Sequence, residues 1–249
     1  MPSNPDSLSV IIPVLNEAKN IEVVLRPLQQ TLGIEVIVVD GGSQDQTVDR
    51  VKALGVRLVD SLPGRARQMN AGAQVATGTV LLFLHADTRL PDQFASYVHQ
   101  TLAKPGVIVG AFTLKIEGDQ PGLRWVEQGV KWRSHLCQLP YGDQAIFLKA
   151  KTFHQLGGFA EMPIMEDFEL VRRLRRRGRV AIAPAPVITS GRRWQRLGVW
   201  QTTVMNQIVI AAYLLGVPPS LLVRWYRSGF TGWKWVRSLW QSFQKKNEG

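Results

Sequence analysis

Four short apolar runs rich in β-branched residues, at 8–14, 35–40, 56–60 and 80–84, are separated by segments of helix length. Each run has strand length and is bounded by Pro, Gly or Asp, as buried strands are. Between the first two, Asn16 precedes a stretch in which Ile21, Val24, Leu25 and Leu28 share one helical face, so Asn16 is expected to cap a helix ending near Gly33. Residues 45–54, closed by Gly55, and 64–76, ended by Gly78, read as the next two helices. Strands alternating with helices in this way specify βαβ units: an α/β fold with a mainly parallel, Rossmann-like sheet, flanked by helices and joined by right-handed crossovers. Ligands of such sheets sit beyond the carboxyl ends of the strands. The residues there are polar or charged: Asn16 and Glu17, then 40–45, then His85 to Asp87.

The second half is less regular. Runs at 107–116 and 144–148 read as strands, 123–136 and 166–177 as helices, and 180–183 as a last short strand. With 249 residues and 45% apolar side chains the chain can bury one sizeable core, and 22 Gly and 14 Pro without an internal period exclude collagen, solenoid and disordered classes. A single cysteine, Cys137, leaves no intrachain disulfide, and residues 1–6 carry neither a basic nor an apolar leader, so a cytoplasmic location is expected. The net charge of +11 attracts polyanions, whether nucleic acid, acidic lipid headgroups or a phosphorylated substrate. Its distribution is uneven: six arginines lie within 172–179, and six Lys or Arg face one Glu from 224 onward.

Four motifs follow one another in the first half: Ile12-Pro13-Val14-Leu15-Asn16-Glu17, Val39-Asp40-Gly41-Gly42-Ser43-Gln44-Asp45-Gln46-Thr47, Asn70-Ala71-Gly72 with Gly78, and Phe83-Leu84-His85-Ala86-Asp87. Met165-Glu166-Asp167 lies downstream. In order and spacing they resemble the successive signatures of family 2 glycosyltransferases, over roughly residues 8–195. The resemblance implies a GT-A fold and transfer of a sugar, with inversion, from a nucleotide-activated donor. The forms His-Ala-Asp-Thr, Gly-Asp-Gln-Ala-Ile-Phe and Met-Glu-Asp are similar to a compact bacterial subfamily associated with arsenosugar biosynthesis. The expected organisation is a GT-A domain over 1–195 and a C-terminal helical, aromatic-basic extension over 196–249.

The resemblance also assigns residues. Asp40 is expected to hydrogen-bond the base or ribose of a donor that is UDP-linked by expectation, with a turn aspartate before Gly41-Gly42 as the alternative, and Gly41 stands where the pattern has a second Asp. Pro13, Asn16 and Glu17 lie on the first strand-to-helix turn, where backbone amides can meet the nucleotide. Arg65, Arg67, Gln68 and Asn70 suit pyrophosphate and ribose, with a solvated basic helix face as the alternative. His85 and Asp87 occupy the Asp-x-Asp element. Asp87 is the expected carboxylate for a divalent cation, Mn2+ or Mg2+, and His85 replaces the other acid on the donor side. Asp167 is the expected general base, with Glu166 beside it. Gly142, Asp143 and Gln144 precede an apolar strand and either contact the acceptor or form a turn. Arg193 and Trp194 are similar to the end of the processive pattern, with Ser190 in place of its Gln, and are assigned to the diphosphate and the acceptor wall.

Residues 199–223 are apolar on balance, but polar interruptions leave a run too short to span a bilayer. Beyond Pro219, aromatic and basic residues interleave, and Trp233, Val236, Trp240 and Phe243 share a helical face. Either a peripheral membrane contact or packing on the core accounts for that pattern. No nucleic-acid motif is present, and the acids at 40, 87, 166 and 167 would repel phosphates without a metal, so nucleic acid is not an expected partner. The expected partners are a nucleotide sugar and a hydroxyl acceptor, small molecule or lipid. A non-catalytic nucleotide- or lipid-binding protein on the same fold is the alternative.

Overall fold

All four early runs form strands. The computed structural model describes residues 7–228, so the expected aromatic-basic helix around Trp233 and Trp240 lies outside the described residues. The chain forms β1 (Leu8–Val14), α1 (Ile21–Gln29), β2 (Ile34–Asp40), α2 (Thr47–Ala53), β3 (Arg57–Asp60), α3 (Arg65–Val75) and β4 (Val80–Phe83). There follow β5 (Thr88–Arg89), α4 (Phe94–Leu102), β6 (Val107–Ile116), α5 (Leu123–Leu136), a 3₁₀ turn (Gly142–Gln144), β7 (Phe147–Lys149), α6 (Ala150–Gln155), α7 (Glu166–Arg175) and β8 (Arg179–Thr189). Three helices end the described chain: α8 (Arg192–Leu197), α9 (Val199–Leu214) and α10 (Pro219–Ser228).

One eight-stranded sheet runs in the order β3-β2-β1-β4-β7-β6-β8-β5. The pairs β1–β2, β1–β4, β2–β3 and β6–β8 are parallel. β7 runs antiparallel to both β4 and β6, and β5 antiparallel to β8. The parallel order expected of the sheet therefore holds through its first four strands and gives way to a mixed pattern. β1 is buried along its whole length, as a central parallel strand covered on both faces must be. Ile11, Ile37, Val39, Leu81 and Phe83 turn to one face, where they pack with Met69 of α3, Phe153 of α6 and Leu170, Val171 and Leu174 of α7. α3 approaches β1 so closely that a Cβ at Gly72 would stand 2.5 Å from the Ile11 methyl, which is why glycine occupies that turn.

Several boundaries differ from the sequence expectation. α1 starts at Ile21 with Asn20 in the cap position, and Asn16 instead adopts a left-handed φ of 57°. Gln144 belongs to the 3₁₀ turn rather than to β7. The last strand extends to Thr189, because nine residues of β6 offer it a parallel ladder that no local pattern announces.

The described residues divide into two compact units, one of 7–119 with 123–191, the other of 120–122 with 192–228. α8, and with it Arg193 and Trp194, lies in the second unit. There the Arg193 guanidinium stacks 3.6 Å from the Tyr226 ring centroid and donates to the Tyr226 carbonyl, while the Trp194 indole N–H is buried without a hydrogen-bond partner. Among the described residues no helix is long and apolar enough to cross a membrane.

Candidate active site

The carboxyl ends of β1 and β2 meet in a closed seam. Asp40, 5% exposed, accepts hydrogen bonds from the Gly42 and Ser43 amides, at 2.8 and 2.9 Å, and from the Ser43 hydroxyl. Across the seam the Asn16 amide donates to Ser43 Oγ, the Glu17 amide to Thr47 Oγ1 and the Ala18 amide to Asp45 Oδ2. Asn16 Oδ1 in turn accepts from the Gln44 amide. The amides at 16–18, expected to meet the nucleotide, are thus spent inside the seam. Pro13 is buried in β1, opposite Val39, and lies in the sheet rather than on the turn. Asp45 accepts from the Thr47 amide at 3.0 Å and so helps start α2 as the sequence indicated.

Two of the expected donor-side polar residues hold backbone. Gln68, 3% exposed, donates to the Val14 and Val39 carbonyls at 2.8 Å each, locking α3 to the ends of β1 and β2. A Cβ at Gly41 would approach its amide to 3.0 Å, so Gln68 occupies the space beside the missing second Asp. Asn70 grips Phe159 from both sides: its amide nitrogen donates to the Phe159 carbonyl and its oxygen accepts the Phe159 amide, both at 2.9 Å. Arg67 pairs with the exposed Glu161.

A second group of residues converges from β4, α3, α7 and the 3₁₀ turn. Arg65, at the start of α3, reaches Glu166 Oε1 at 2.7 Å. Glu166 is 2% exposed, and its other oxygen is buried without a hydrogen-bond partner. Burial raises the Glu166 pKa; Arg65 opposes that and Asp167 adds to it. Asp167 accepts the Gly142 amide at 2.6 Å and the Phe168 amide at 2.7 Å, so its carboxylate is held in one orientation. A Cβ at Gly142 would stand 2.9 Å from Asp167 Oδ2 and 3.0 Å from His85 Nε2, which brings these two side chains together over one glycine. Burial, helped by the Arg65 charge and opposed by Asp87 and Asp167, lowers the His85 pKa to about 4, leaving a neutral imidazole at pH 7. Asp143 is displaced the other way: burial raises its pKa to about 6, against the pull of Arg133, and its Oδ1 is buried without a hydrogen-bond partner.

Arg133, Ser134 and Tyr141, which no motif announced, support this cluster together with Gln144. Arg133 of α5 lies 3.4 Å from the Tyr141 ring centroid and donates to the Leu139 carbonyl. Gln144, fully buried, accepts from Arg133, Ser134 and the Tyr141 amide and donates to the Phe112 carbonyl at 2.8 Å. The turn Gly142–Gln144 is therefore hung from α5 and β6 by Gln144, whose side chain is spent on that role, in keeping with the turn the sequence offered as one of two readings. Burial raises the Tyr141 pKa. Met165 and Ala145, which flank the cluster in sequence, have left-handed φ of 73° and 49°. Such strain in non-glycine residues concentrates at functional sites.

The residues fit a divalent cation only in a limited way. Among the described residues no group of three or more His, Cys, Asp or Glu could hold a metal ion by itself. Asp87 supplies one hard carboxylate, and the unpartnered Asp143 Oδ1 lies within electrostatic range of it. A cation here would need the rest of its oxygen shell from a ligand such as a diphosphate.

Comparison with known proteins agrees with this architecture. The model of the family described as "Glycosyl transferase family 2" matches residues 9–163. A PGL/p-HBAD biosynthesis glycosyltransferase of Mycobacterium tuberculosis is 40% identical over 111 residues, 41% of this chain and 41% of that protein. Glycosyltransferase AglE of Haloferax volcanii is 34% identical over 118 residues, 43% of this chain and 39% of that one. The chain thus matches about two fifths of the length of these curated relatives. Among solved structures, a mannosyltransferase from Pyrobaculum calidifontis in complex with GDP-Man and Mn2+ superposes with a TM-score of 0.62 at 22% identity, covering 84% of this chain and 65% of that one. Glucosyl-3-phosphoglycerate synthase of M. tuberculosis, in complex with Mn2+, UDP and glucosyl-3-phosphoglycerate, has a TM-score of 0.53 at 20% identity, covering 74% and 71%. The fold is that of the GT-A glycosyltransferases.

Proposed function

The chain belongs to glycosyl transferase family 2, and from that premise we propose that it transfers a single sugar from a nucleotide-sugar donor to a hydroxyl acceptor with inversion at the anomeric carbon. The observation that carries the proposal is Asp167, fixed by the Gly142 and Phe168 amides beside the buried Glu166, which pairs with the more exposed Arg65. Two hydrogen bonds orient its carboxylate and leave lone pairs for a substrate hydroxyl. Asp167 accepts the acceptor's proton as the acceptor oxygen bonds to the anomeric carbon, and the bond to the departing diphosphate breaks with its electron pair on that group. Inversion requires the base and the leaving group to flank the carbon from opposite sides.

Arg65 is the donor-side cation in this reading. Glu166 grips its Nε and fixes the plane of the guanidinium, so Glu166 acts as a positioning residue for it. Asp87 would hold a divalent cation, which would supply charge neutralisation for the leaving diphosphate. His85, neutral at pH 7, adds no charge there and can share a hydrogen bond with a sugar or phosphate oxygen. Asp40, whose carboxylate the Gly42 and Ser43 amides orient, is the candidate contact for the base or ribose. Solved relatives of the same fold are in complex with GDP-Man or with UDP, so both nucleotides belong in the test. Asp143 and Tyr141 line the acceptor side in this reading, and the acceptor is a hydroxyl compound.

The test is transfer and donor hydrolysis with UDP- and GDP-sugars, with and without Mn2+. Asp167→Asn should lower turnover by about 10²–10⁴-fold with donor binding unchanged. Normal turnover in that variant, or a product of retained configuration, overturns the mechanism. Donor binding without any release of nucleoside diphosphate would point instead to a binding protein.

A further inference from the structure

α5 has two unlike faces. Its inner side is tied down: Leu123 and Ser134 are buried, Glu127 accepts the Ile116 amide, Arg124 donates to the Ile116 and Gly118 carbonyls, and Ser134 donates to Gln144. On its outer side Trp125, Trp132 and Leu136 are 74%, 67% and 73% exposed. Steps of seven and four residues bring all three onto one stripe along the helix. Between the indoles stands Gly129, where an added Cβ would meet open space. Single exposed apolar side chains are ordinary, but two tryptophans and a leucine in line on a 14-residue helix mark a surface that something covers.

We propose that this stripe is a lipid-contact surface, and that α5 lies in the headgroup region of an anionic bilayer. Indoles, apolar in body with one polar N–H, favour that depth. The charge beside the stripe suits acidic headgroups: the helix's one acid, Glu127, is neutralised by Arg124, Arg133 is turned inward onto Tyr141, and Lys131 is the cation left exposed next to the indoles, on a chain of net charge +11. Lys131 is exposed beside Trp132, with the His135 ring on its carbonyl. The contact is peripheral, since no helix among the described residues can cross a membrane. Because Gln144 hangs the 3₁₀ turn from the inner side of α5, membrane contact would set the candidate acceptor turn close to the lipid surface. The surface itself does not depend on the glycosyl-transfer reading.

Cys137, the chain's single cysteine, is exposed one residue beyond Leu136, and a polarity-sensitive fluorophore attached there reports the environment of the stripe. With phosphatidylcholine vesicles containing phosphatidylglycerol, its emission should shift to the blue and be quenched by lipids carrying nitroxides near the headgroup. Pure phosphatidylcholine and high salt should weaken both effects. Replacing both indoles, Trp125→Ser with Trp132→Ser, should lower vesicle partitioning about tenfold or more, with the thermal midpoint unchanged. Absence of vesicle binding overturns the proposal. So does wild-type partitioning by the double variant, or a label that stays in water while the protein is bound, which would assign the contact to residues 229–249. A concentration-dependent dimer without lipid, abolished by the double substitution, would assign the stripe to a second copy. Donor binding, measured separately by thermal shift, tells failure here from failure of the catalytic reading.

Discussion

Asp143 has the most unfavourable setting of the carboxylates near Asp167, and its pH dependence has a definite sign. Burial raises its folded pKa to about 6 from 3.8, so between those values the folded state binds more protons than the unfolded one and stability falls as pH rises. Asp143→Asn should therefore stabilise the protein by about 1–3 kcal/mol above pH 6, with the gain shrinking as pH falls toward 4; equal denaturant midpoints for the two proteins at pH 8 would contradict this. Gly142 is the companion case. A methyl there meets Asp167 Oδ2 at 2.9 Å and His85 Nε2 at 3.0 Å, so Gly142→Ala should push the carboxylate aside. Misplacement of a catalytic group by about 1 Å can cost ~100-fold in rate. We expect turnover to fall on that order while donor binding survives, and a kcat within twofold of wild type would show that the contact relaxes harmlessly. The glycine of Gly-Asp-Gln was visible in the sequence; that it seats Asp167 was not, since 25 residues separate them.

At the scale of elements, side chains that a linear reading assigns to ligands prove to be fasteners. Gln68, Asn70 and Gln144 each use their amides on backbone groups of another segment, and for the buried Gln68 and Gln144 these bonds replace the solvent they have lost. Glu35 does the same work with charge. It accepts from Ser9 of β1, from the amide and hydroxyl of Thr77 and from Arg57 of β3. Burial alone would raise its pKa, but these donors outweigh burial and the result is a lowered value. The stabilisation is then present above the unfolded-state pKa and lost as pH falls through the folded one. Glu35→Gln should cost about 1 kcal/mol at pH 7, and the difference should shrink as pH falls below the ordinary carboxylate value of 4.5. A pH-independent difference in chemical denaturation would trace the loss to packing instead.

For the whole molecule, donor binding should appear as stability. A ligand at 100 times its dissociation constant adds about 2.7 kcal/mol, which for a chain of this size corresponds to a rise in Tm of roughly 5–10 °C. UDP or GDP with Mn2+ should produce such a shift, and Asp87→Asn should lose its metal-dependent part. An Asp87→Asn protein that keeps the full Mn2+ effect would remove Asp87 from the metal's shell. The division of the chain at Gly191 adds a question of organisation, since Arg193 and Trp194 belong to the second unit. Within that unit Arg193 stacks on Tyr226.

By itself the sequence determined the βαβ order, the buried strands of the first half and the residues at their carboxyl ends, because hydrophobic period and chain punctuation are local properties. It also contained the family resemblance, carried by short motifs in a fixed order. Only the tertiary structure decided how those polar residues are spent. Hydrogen bonds between elements consumed the amides at 16–18, assigned Gln68, Asn70 and Gln144 to backbone, and joined Arg65 to Glu166 across about 100 residues of chain. The antiparallel insertion of β7 between β4 and β6 was likewise invisible, since a three-residue strand takes its direction from its neighbours. The two faces of α5 separate for the same reason: burial of one side depends on β6 and the 3₁₀ turn, and what remains exposed is known only once they are packed.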